Sequence, residues 1–244
     1  MKAIFLSDAH LRTKESPEYG RLLAFLDSLT GNTDRVYIAG DFFDFWFCPG
    51  ERVYPEFIPM VEKILALQRA GIPVVYLEGN HDFFLHDYFR AHDIATVPDA
   101  AAVELEGKRI YVSHGDTVDR SNTRYLFLRR MLRSRAAYLF QKYLPSCIVW
   151  RVAGMCSDLS RESYGCADEK LAGTMEAFAM TKFVEGFDAV ILGHCHKPLL
   201  KKITRNGGEK VFALLGDWVA HGSYVAYENG AFSLRYFRGD TRAH

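Results

Sequence analysis

The sequence has few cysteines and no long hydrophobic run, and both absences narrow the classes of protein it can encode. Its 244 residues include five cysteines, an odd number, with no spacing typical of a zinc ribbon. No uninterrupted apolar stretch approaches the roughly 20 residues that a transmembrane helix needs. A signal-peptide pattern is also missing at the N-terminus. We therefore expect a reducing, cytoplasmic setting.

An excess of charge of either sign is absent too. Lys and Arg total 30, Asp and Glu total 30, and the pI is about 7.1. The net charge therefore gives no electrostatic reason to expect nucleic acid as a partner. Hydrophobic residues make up 49% of the chain, which is enough for one packed domain over residues 1–244.

Five apolar runs each end in side chains that can bind a metal ion. The terminal clusters are Asp8 and His10, Asp41 and Asp44, Asn80 with His81 and Asp82, His114 with Asp116, and His194 with His196. Each run has the length and composition of a strand. Because ligands gather at the carboxyl ends of strands in open α/β sheets, the five clusters predict one shared site.

The segments between these runs indicate an α/β fold. Residues 1–82 read strand–helix–strand–helix–strand, which predicts parallel strands. Residues 101–113 read as strand with a turn at Glu106-Gly107, and turn signals after residue 205 predict an antiparallel finish. Residues 121–186 differ: they predict one helix over 125–144 and another over 168–185. We interpret 121–186 as a helical insertion, or lid, over the site.

The ligand types suit two divalent ions that act on a phosphorus centre. Asp8, His10 and His196 would bind one ion, and the other would be bound by Asn80, His114 and His194. Asp41 would bridge the pair, since a carboxylate has two oxygens. Mixed histidine and carboxylate ligands suit manganese, iron or zinc better than magnesium or calcium.

Further residues are candidates for catalysis and substrate binding. His81, beside a ligand, is placed to touch a phosphate oxygen or protonate the leaving oxygen, with Asp44 holding its other nitrogen. Substrate contacts are predicted from residues at the site and on the insertion: Asn80, His81, Arg161, Lys170 and His194. Taken singly, four of the five motifs are more often a turn, a helix cap or a loop than a ligand set, and Gly-His-x-His is a surface pair about as often as a ligand pair. Their joint order favours the site.

The five motifs together resemble the calcineurin-like metallophosphoesterases. They read Asp-x-His, Gly-Asp-x-x-Asp, Gly-Asn-His-Asp, His and Gly-His-x-His, in that order, and the resemblance extends from residue 1 to about residue 225. It implies a layered αββα sandwich with two metal ions at the strand ends and a bridging hydroxide as the nucleophile. It also implies the ligand assignment given above.

A narrower resemblance is to the UDP-2,3-diacylglucosamine pyrophosphohydrolases of lipid A biosynthesis. It rests on residues 5–11, 40–46, 114–116, 193–198 and 215–218. It implies manganese, acyl chains bound under the helical insertion, and cleavage of the substrate into lipid X and UMP. The mixture of Arg with Tyr, Leu and Phe over residues 124–135 favours either a solvated basic face or, as a further hypothesis, peripheral contact with the inner face of the bacterial inner membrane. Those enzymes typically carry Arg where this chain has His81.

Two other hypotheses stay open at the level of the sequence. The chain could be a phosphodiesterase or nucleotide pyrophosphatase that acts on a water-soluble phosphodiester or nucleoside diphosphate compound. It could also be a non-catalytic scaffold that binds a partner, although a scaffold has no need of a complete ligand set. The sequence gives no indication of oligomeric state.

Overall fold

Two β-sheets form the framework of the chain, in a computed structural model that describes residues 1–46, 52–144, 148, 150–151, 168–205 and 207–239. Within those residues the strands are β1 (Lys2–Leu6), β2 (Arg35–Ala39), β3 (Val74–Leu77), β4 (Ala95–Val97), β5 (Ala100–Leu105), β6 (Lys108–Ser113), β7 (Ala189–Leu192), β8 (Leu199–Arg205), β9 (Gly208–Leu214), β10 (Ser223–Glu228) and β11 (Ala231–Tyr236). The helices are α1 (Pro17–Ser28), α2 (Ile58–Arg69), α3 (His86–Phe89), α4 (Thr123–Leu132), α5 (Arg135–Tyr143) and α6 (Asp168–Val184).

Parallel strands lie at the centre of both sheets. The first sheet has the order β11-β10-β1-β2-β3-β4, and the second has the order β5-β6-β7-β9-β8. Strands β1, β2, β3 and β4 run parallel, as do β6, β7 and β9. The predicted parallel start and the predicted turn between β5 and β6 are therefore confirmed.

The predicted antiparallel finish is confirmed as two hairpins, which belong to different sheets. Strand β8 pairs with β9 in the second sheet, and β10 pairs with β11 in the first. Strand β10 also pairs antiparallel with β1, at the start of the chain. The last quarter of the sequence thereby completes both sheets beside the strands that carry the predicted ligands.

Three apolar clusters hold the layers together. Between the sheets, alternate residues of the first sheet such as Phe5 and Tyr37 pack against Ile110 and Ile191 of the second. The rings of Phe5 and Tyr37 stack with centroids 4.7 Å apart across neighbouring strands. The intervening residues of each strand face outward and are covered by helices, as the period of two requires.

The helices cover the two outer faces of the paired sheets. Helices α1 and α2 bury residues such as Phe25 and Ile64 against the first sheet. Helix α6 buries Met175 and Phe183 against the second. The result is a helix–sheet–sheet–helix arrangement, and the expected layered αββα fold is confirmed.

The predicted helix over 125–144 is wrong in one respect, because it is two helices. Helix α4 ends at Leu132 and α5 begins at Arg135. The hydroxyl of Ser134 accepts a hydrogen bond from the main-chain N–H of Ala137, so Ser134 caps the second helix. Residues 145–147, 149 and 152–167 of the predicted insertion lie outside the described residues.

Candidate active site

The carboxyl ends of the central strands of both sheets carry the predicted ligands. Strands β1, β2 and β3 lead into the segments that hold Asp8 and His10, Asp41, and Asn80, while β6 and β7 lead to His114 and to His194 with His196. The loops after β1 and β2 stay bonded beyond the strands, since His10 N–H donates to the carbonyl of Asp41 at 3.0 Å. The structure therefore brings all seven predicted ligands to one edge of the sandwich.

One ligand group consists of Asp8, His10 and His196. Nε2 of His196 lies 3.5 Å from Oδ1 of Asp8 and 3.3 Å from Nε2 of His10. Asp8 is fully buried and its carboxylate accepts hydrogen bonds from the Ser7 hydroxyl and the main-chain N–H of His194. These donors fix the carboxylate while its other oxygen faces the two imidazoles.

The second group consists of Asn80, His114 and His194. Nδ1 of His114 lies 2.9 Å from the carbonyl oxygen of Ala39, which can only accept, so Nδ1 carries a proton. Nε2 of His114 then faces Oδ1 of Asn80 at 3.0 Å. The His194 ring lies with its centroid 5.0 Å from that of His114.

Asp41 lies between the two groups. Its Oδ2 is 3.3 Å from Nε2 of His114 and 3.9 Å from Nε2 of His10. Its Oδ1 accepts a hydrogen bond of 2.8 Å from the main-chain N–H of His81. The same oxygen, Oδ2, thus faces both groups, whereas the sequence reasoning assigned one oxygen to each ion.

Burial and neighbouring charges shift the pKa values of the groups at the site. Burial raises the pKa of Asp41, but the charge and hydrogen bond of His114 and the charges of His81 and His10 together outweigh it and hold that pKa well below its usual range. Burial lowers the pKa of His10 to about 4, and burial with the charge of His114 lowers the pKa of His194 to about 4. For His114 burial is opposed by the Asp41 carboxylate, which raises its pKa to about 10.

The backbone around these ligands is unusual, in a way common at functional sites. Asp8, His10, Asp41 and His194 have φ values of 54°, 45°, 51° and 62°, in the left-handed region that non-glycine residues rarely adopt. Gly79 allows a close approach, because a Cβ there would lie 2.1 Å from Oδ1 of Asp41. The chain therefore holds its ligands at an energetic cost that the surrounding bonds offset.

Asp82 is a buried residue whose role the sequence reasoning missed. Its Oδ1 accepts hydrogen bonds from the N–H groups of Asp41 and Gly79, at 2.8 and 2.9 Å. Its Oδ2 accepts from the N–H of Phe42 and the hydroxyl of Tyr76. Burial and the charge of Asp41 raise the pKa of Asp82 to about 7. Its place in the Gly-Asn-His-Asp motif was the signal that could have identified it.

The pairing predicted between His81 and the Asp44 side chain needs correction. Nδ1 of His81 lies 3.0 Å from the main-chain carbonyl oxygen of Asp44, while Oδ1 of the Asp44 carboxylate lies 3.9 Å from Nδ1 of His10. The loop after β2 turns the Asp44 main chain toward His81, so the main chain supplies the contact. Because the carbonyl oxygen accepts, Nδ1 of His81 is the donor, and Nε2 takes no part in this contact.

Two of the predicted substrate contacts, Arg161 and Lys170, belong to the helical insertion. Arg161 lies outside the described residues. Lys170 is exposed in the first turn of α6, and among the described residues no hydrogen bond or ion pair joins its ammonium to the ligand groups. Among the predicted contacts, Asn80, His81 and His194 lie within the site itself.

The residues present fit a pair of divalent ions. Nε2 of His114 and the oxygens of Asn80 and Asp41 converge, and Nδ1 of His114 is already committed to Ala39, so a metal ion would take the place of the proton on Nε2. Likewise, ligand atoms of Asp8, His10 and His196 lie within 4.8 Å of one another. Such a convergence of buried carboxylate, amide and imidazole groups is favourable with a cation between them, and two divalent ions would meet that need. Histidine, carboxylate and amide donors are those of first-row transition metals.

Comparisons with known proteins identify the family of the chain. A family model described as calcineurin-like phosphoesterase matches residues 1–198. A UDP-2,3-diacylglucosamine hydrolase of Enterobacter sp. (strain 638) is 28% identical over 243 residues, covering 97% of this chain and 99% of that protein. The enzyme of the same name from Stenotrophomonas maltophilia (strain K279a) is 26% identical, covering 96% and 98%.

A solved structure shows the same fold at low sequence identity. It belongs to an archaeal phosphodiesterase, which is 11% identical with a TM-score of 0.52 and covers 96% of this chain and 99% of its own. Among the described residues, no helix is both long and apolar enough to cross a membrane. The extent of the family match and the site geometry lead to one conclusion: the chain belongs to the calcineurin-like phosphoesterase family and is a metal-dependent phosphoester hydrolase.

Proposed function

We propose that this protein hydrolyses the pyrophosphate bond of UDP-2,3-diacylglucosamine. The products would be UMP and 2,3-diacylglucosamine 1-phosphate, known as lipid X. The observation that supports this most directly is the match to hydrolases of that name over 97% of the chain and nearly their whole length. The buried groups on either side of Asp41 would hold the metal ions that such a reaction needs.

The metal ligands of the proposed enzyme are the seven residues that meet at the strand ends. Asp8, His10 and His196 would hold one ion and Asn80, His114 and His194 the other, with Asp41 shared. When bound, two divalent ions supply positive charge to the phosphoryl oxygens and lower the pKa of water. Manganese is the proposed metal, with iron and zinc as alternatives.

The reaction adds a water oxygen to the α-phosphorus and breaks the bond to the oxygen that bridges to the β-phosphorus. His81 is the proposed catalytic side chain. Its main-chain N–H is fixed to Asp41 and its Nδ1 to the carbonyl of Asp44, so the ring is oriented from two sides. With Nδ1 bonded to that carbonyl, only the imidazolium form carries a proton on Nε2, and in that form Nε2 would donate a hydrogen bond or a proton to a phosphate oxygen. Asn80, bonded to His114, would present its N–H groups to the same phosphate.

The helical insertion supports an acylated substrate. Helix α4 exposes apolar side chains: Phe127 is 70% exposed, Leu128 47% and Met131 52%. Arg124 and Arg130 are exposed on the same helix. We propose that this surface, within the proposed 121–186 lid, contacts acyl chains and the anionic inner face of the inner membrane. Loss of binding to anionic vesicles at moderate salt would argue against the membrane contact.

A second candidate is a related phosphoesterase with a water-soluble substrate. It is favoured by one feature, the presence of His81 where the resembling pyrophosphohydrolases have Arg. Such an enzyme would cleave a simple phosphodiester or a nucleoside diphosphate compound as readily as an acylated one. The exposed apolar surface of α4 would then have no role in substrate binding.

One experiment separates the candidates. The manganese-loaded protein is incubated with UDP-2,3-diacylglucosamine, with UDP-N-acetylglucosamine and with bis-p-nitrophenyl phosphate, and the products are identified by mass spectrometry. Release of UMP and lipid X from the acylated substrate at far higher kcat/KM supports the proposal. Equal rates on the substrates without acyl chains support the second candidate. No hydrolysis and no bound metal would leave only the scaffold hypothesis.

A further inference from the structure

Three residues along one side of helix α4 and just past its C-terminal end form a stripe that faces the candidate active site. Tyr125, Arg129 and Arg133 are spaced four residues apart, so their side chains lie above one another on one side of the helix. Their side chains are partly buried, while the neighbouring Arg130 is exposed. The stripe is thus the side of α4 opposite to its exposed apolar residues.

The first two residues of the stripe bind the segment that follows His114. The Tyr125 hydroxyl donates a hydrogen bond of 2.7 Å to Oδ2 of Asp116, and Nε of Arg129 donates one of 2.6 Å to the same oxygen. Nη2 of Arg129 also donates to Asp99 at 2.8 Å. Asp116 is buried and stands two residues after His114, so these bonds fix the position of that loop.

Arg133 binds the segment that carries Asn80. Nη2 of Arg133 donates a hydrogen bond of 2.6 Å to the carbonyl oxygen of Gly79, the residue before Asn80. Nη1 donates bonds of 2.9 Å to the Glu78 carboxylate and to the carbonyl of Pro98. The Arg133 side chain is 12% exposed and that of Glu78 7%, so this is a buried, hydrogen-bonded ion pair.

The stripe therefore contacts the supports of one ligand group. Arg133 holds the loop of Asn80, Tyr125 and Arg129 hold the loop of His114, and the Tyr125 ring lies with its centroid 6.3 Å from that of His194.

Asp8 and His10 of the other ligand group are held by different segments. Asp8 N–H donates to the carbonyl of Gly40, the carbonyl of Asp8 accepts from the N–H of Trp218, and His10 N–H donates to Asp41. The two groups share the loop of His194 and His196, because the His194 N–H donates to the Asp8 carboxylate. Among the described residues, the hydrogen bonds of the stripe reach ligand-bearing loops only beside Asn80 and His114.

We propose that Tyr125, Arg129 and Arg133 are positioning residues for the group of Asn80, His114 and His194. The hydrogen bonds that hold helix α4 in place would therefore determine how tightly one metal ion of the pair binds. The inference rests on the proposed function in one respect, because it takes Asn80, His114 and His194 as metal ligands. Loss of such supporting hydrogen bonds typically weakens metal binding about 10- to 100-fold.

The test uses the full-length protein and manganese alone. Wild type, Arg133→Gln and the control Arg130→Gln are each titrated with Mn²⁺ by calorimetry and followed by electron paramagnetic resonance. We expect two equivalents for wild type and for Arg130→Gln. For Arg133→Gln we expect one equivalent with unchanged affinity and one weakened about 10- to 100-fold, with the coupled-pair spectrum replaced by that of a single ion.

Reference variants identify which ion is lost. His114→Asn removes a ligand of the second group and His196→Asn a ligand of the first. The spectrum of Arg133→Gln at limiting manganese should match that of His114→Asn. A match to His196→Asn, equal weakening of both ions, or two unaffected ions in Arg133→Gln would each overturn the inference.

Two further measurements keep the test decisive. If Arg133→Gln fails to fold by circular dichroism, Tyr125→Phe takes its place, because it removes only the hydroxyl bonded to Asp116 and should weaken the same ion. Failure of this inference and failure of the proposed function are distinguishable. Two ions in wild type that Arg133→Gln binds equally well refute only the inference, whereas a wild type that binds no Mn²⁺ refutes the metal site itself.

Discussion

Oδ2 of Asp41 lies 3.3 Å from Nε2 of His114, and the two side chains are almost completely buried. Asp41 comes from the first sheet and His114 from the second, so this contact crosses the edge where the two sheets meet. The shared Asp41 carboxylate thereby lies between the two ligand groups, and each group takes residues from both sheets. The candidate active site therefore depends on how the sheets pack.

We expect Asp41→Asn to abolish turnover. The amide keeps the size of the side chain but removes the negative charge that faces His114 and His10. Since loss of an indirect supporting group already weakens metal binding about 10- to 100-fold, loss of this ligand should exceed 100-fold. Metal content after dialysis and kcat on the proposed substrate are the measurements.

Asp27→Asn is the matched control for that substitution. Asp27 is 61% exposed and pairs with Lys63 on the surface, and it lies on helix α1 and not on a ligand loop. Its loss should leave kcat and metal content unchanged, because exposed ion pairs contribute little. Retention of two ions and full rate in Asp41→Asn would refute the bridging role.

We expect His81→Ala to lower kcat about 10²- to 10⁴-fold, the range typical of a lost acid or base. Metal content should stay at the wild-type level, because the main-chain N–H that His81 donates to Asp41 remains in the variant. Steady-state kinetics and metal analysis on the same preparation check both parts. A variant that turns over at the wild-type rate would show that His81 has no catalytic role.

Strand ends and their ligand clusters could be predicted from the sequence because they depend on local patterns. The alternation of apolar residues in β1 and β2, followed by Asp8 and Asp41, contains the needed information within a few residues. The break between α4 and α5 at Ser134 was not predicted, although a capping serine was its local signal. The three-residue strand β4 is too short to give a periodic pattern.

The supports of the site could not be predicted, because they depend on contacts between distant segments. The sequence shows Arg133 as one of several basic residues on a helix, and only the folded chain pairs it with Glu78, 55 positions earlier. The same holds for Asp82, whose carboxylate reaches back to the N–H groups of Asp41 and Phe42. Residue type indicated the ligands, while tertiary packing determined what holds them.

We expect Asp82→Asn to destabilise the protein by about 1–3 kcal/mol or more, because it brings an amide donor against main-chain N–H donors. The main-chain N–H groups of Asp41, Phe42 and Gly79 would then have one acceptor oxygen in place of two, at a buried position. Urea unfolding followed by circular dichroism gives the free energy of unfolding. Stability equal to wild type would show that these hydrogen bonds do not hold the ligand loops.

We expect Gly79→Ala to disrupt the site although the change adds one methyl group. A Cβ at residue 79 would lie 2.1 Å from Oδ1 and 2.4 Å from the main-chain nitrogen of Asp41, and main-chain atoms cannot move aside cheaply. The shift of Asp41 should remove bound metal and reduce kcat by at least about 100-fold. Metal analysis and kinetics on the purified variant measure both effects.

Gly173→Ala provides the opposite expectation within the same protein. Gly173 lies inside helix α6, and a Cβ there would meet no atom within 4 Å. Because alanine favours a helix over glycine by about 0.5–1 kcal/mol, this variant should be more stable and fully active. If Gly79→Ala also kept its metal and its activity, the close approach of that loop to Asp41 would be wrong, and with it the geometry assigned to the shared ligand.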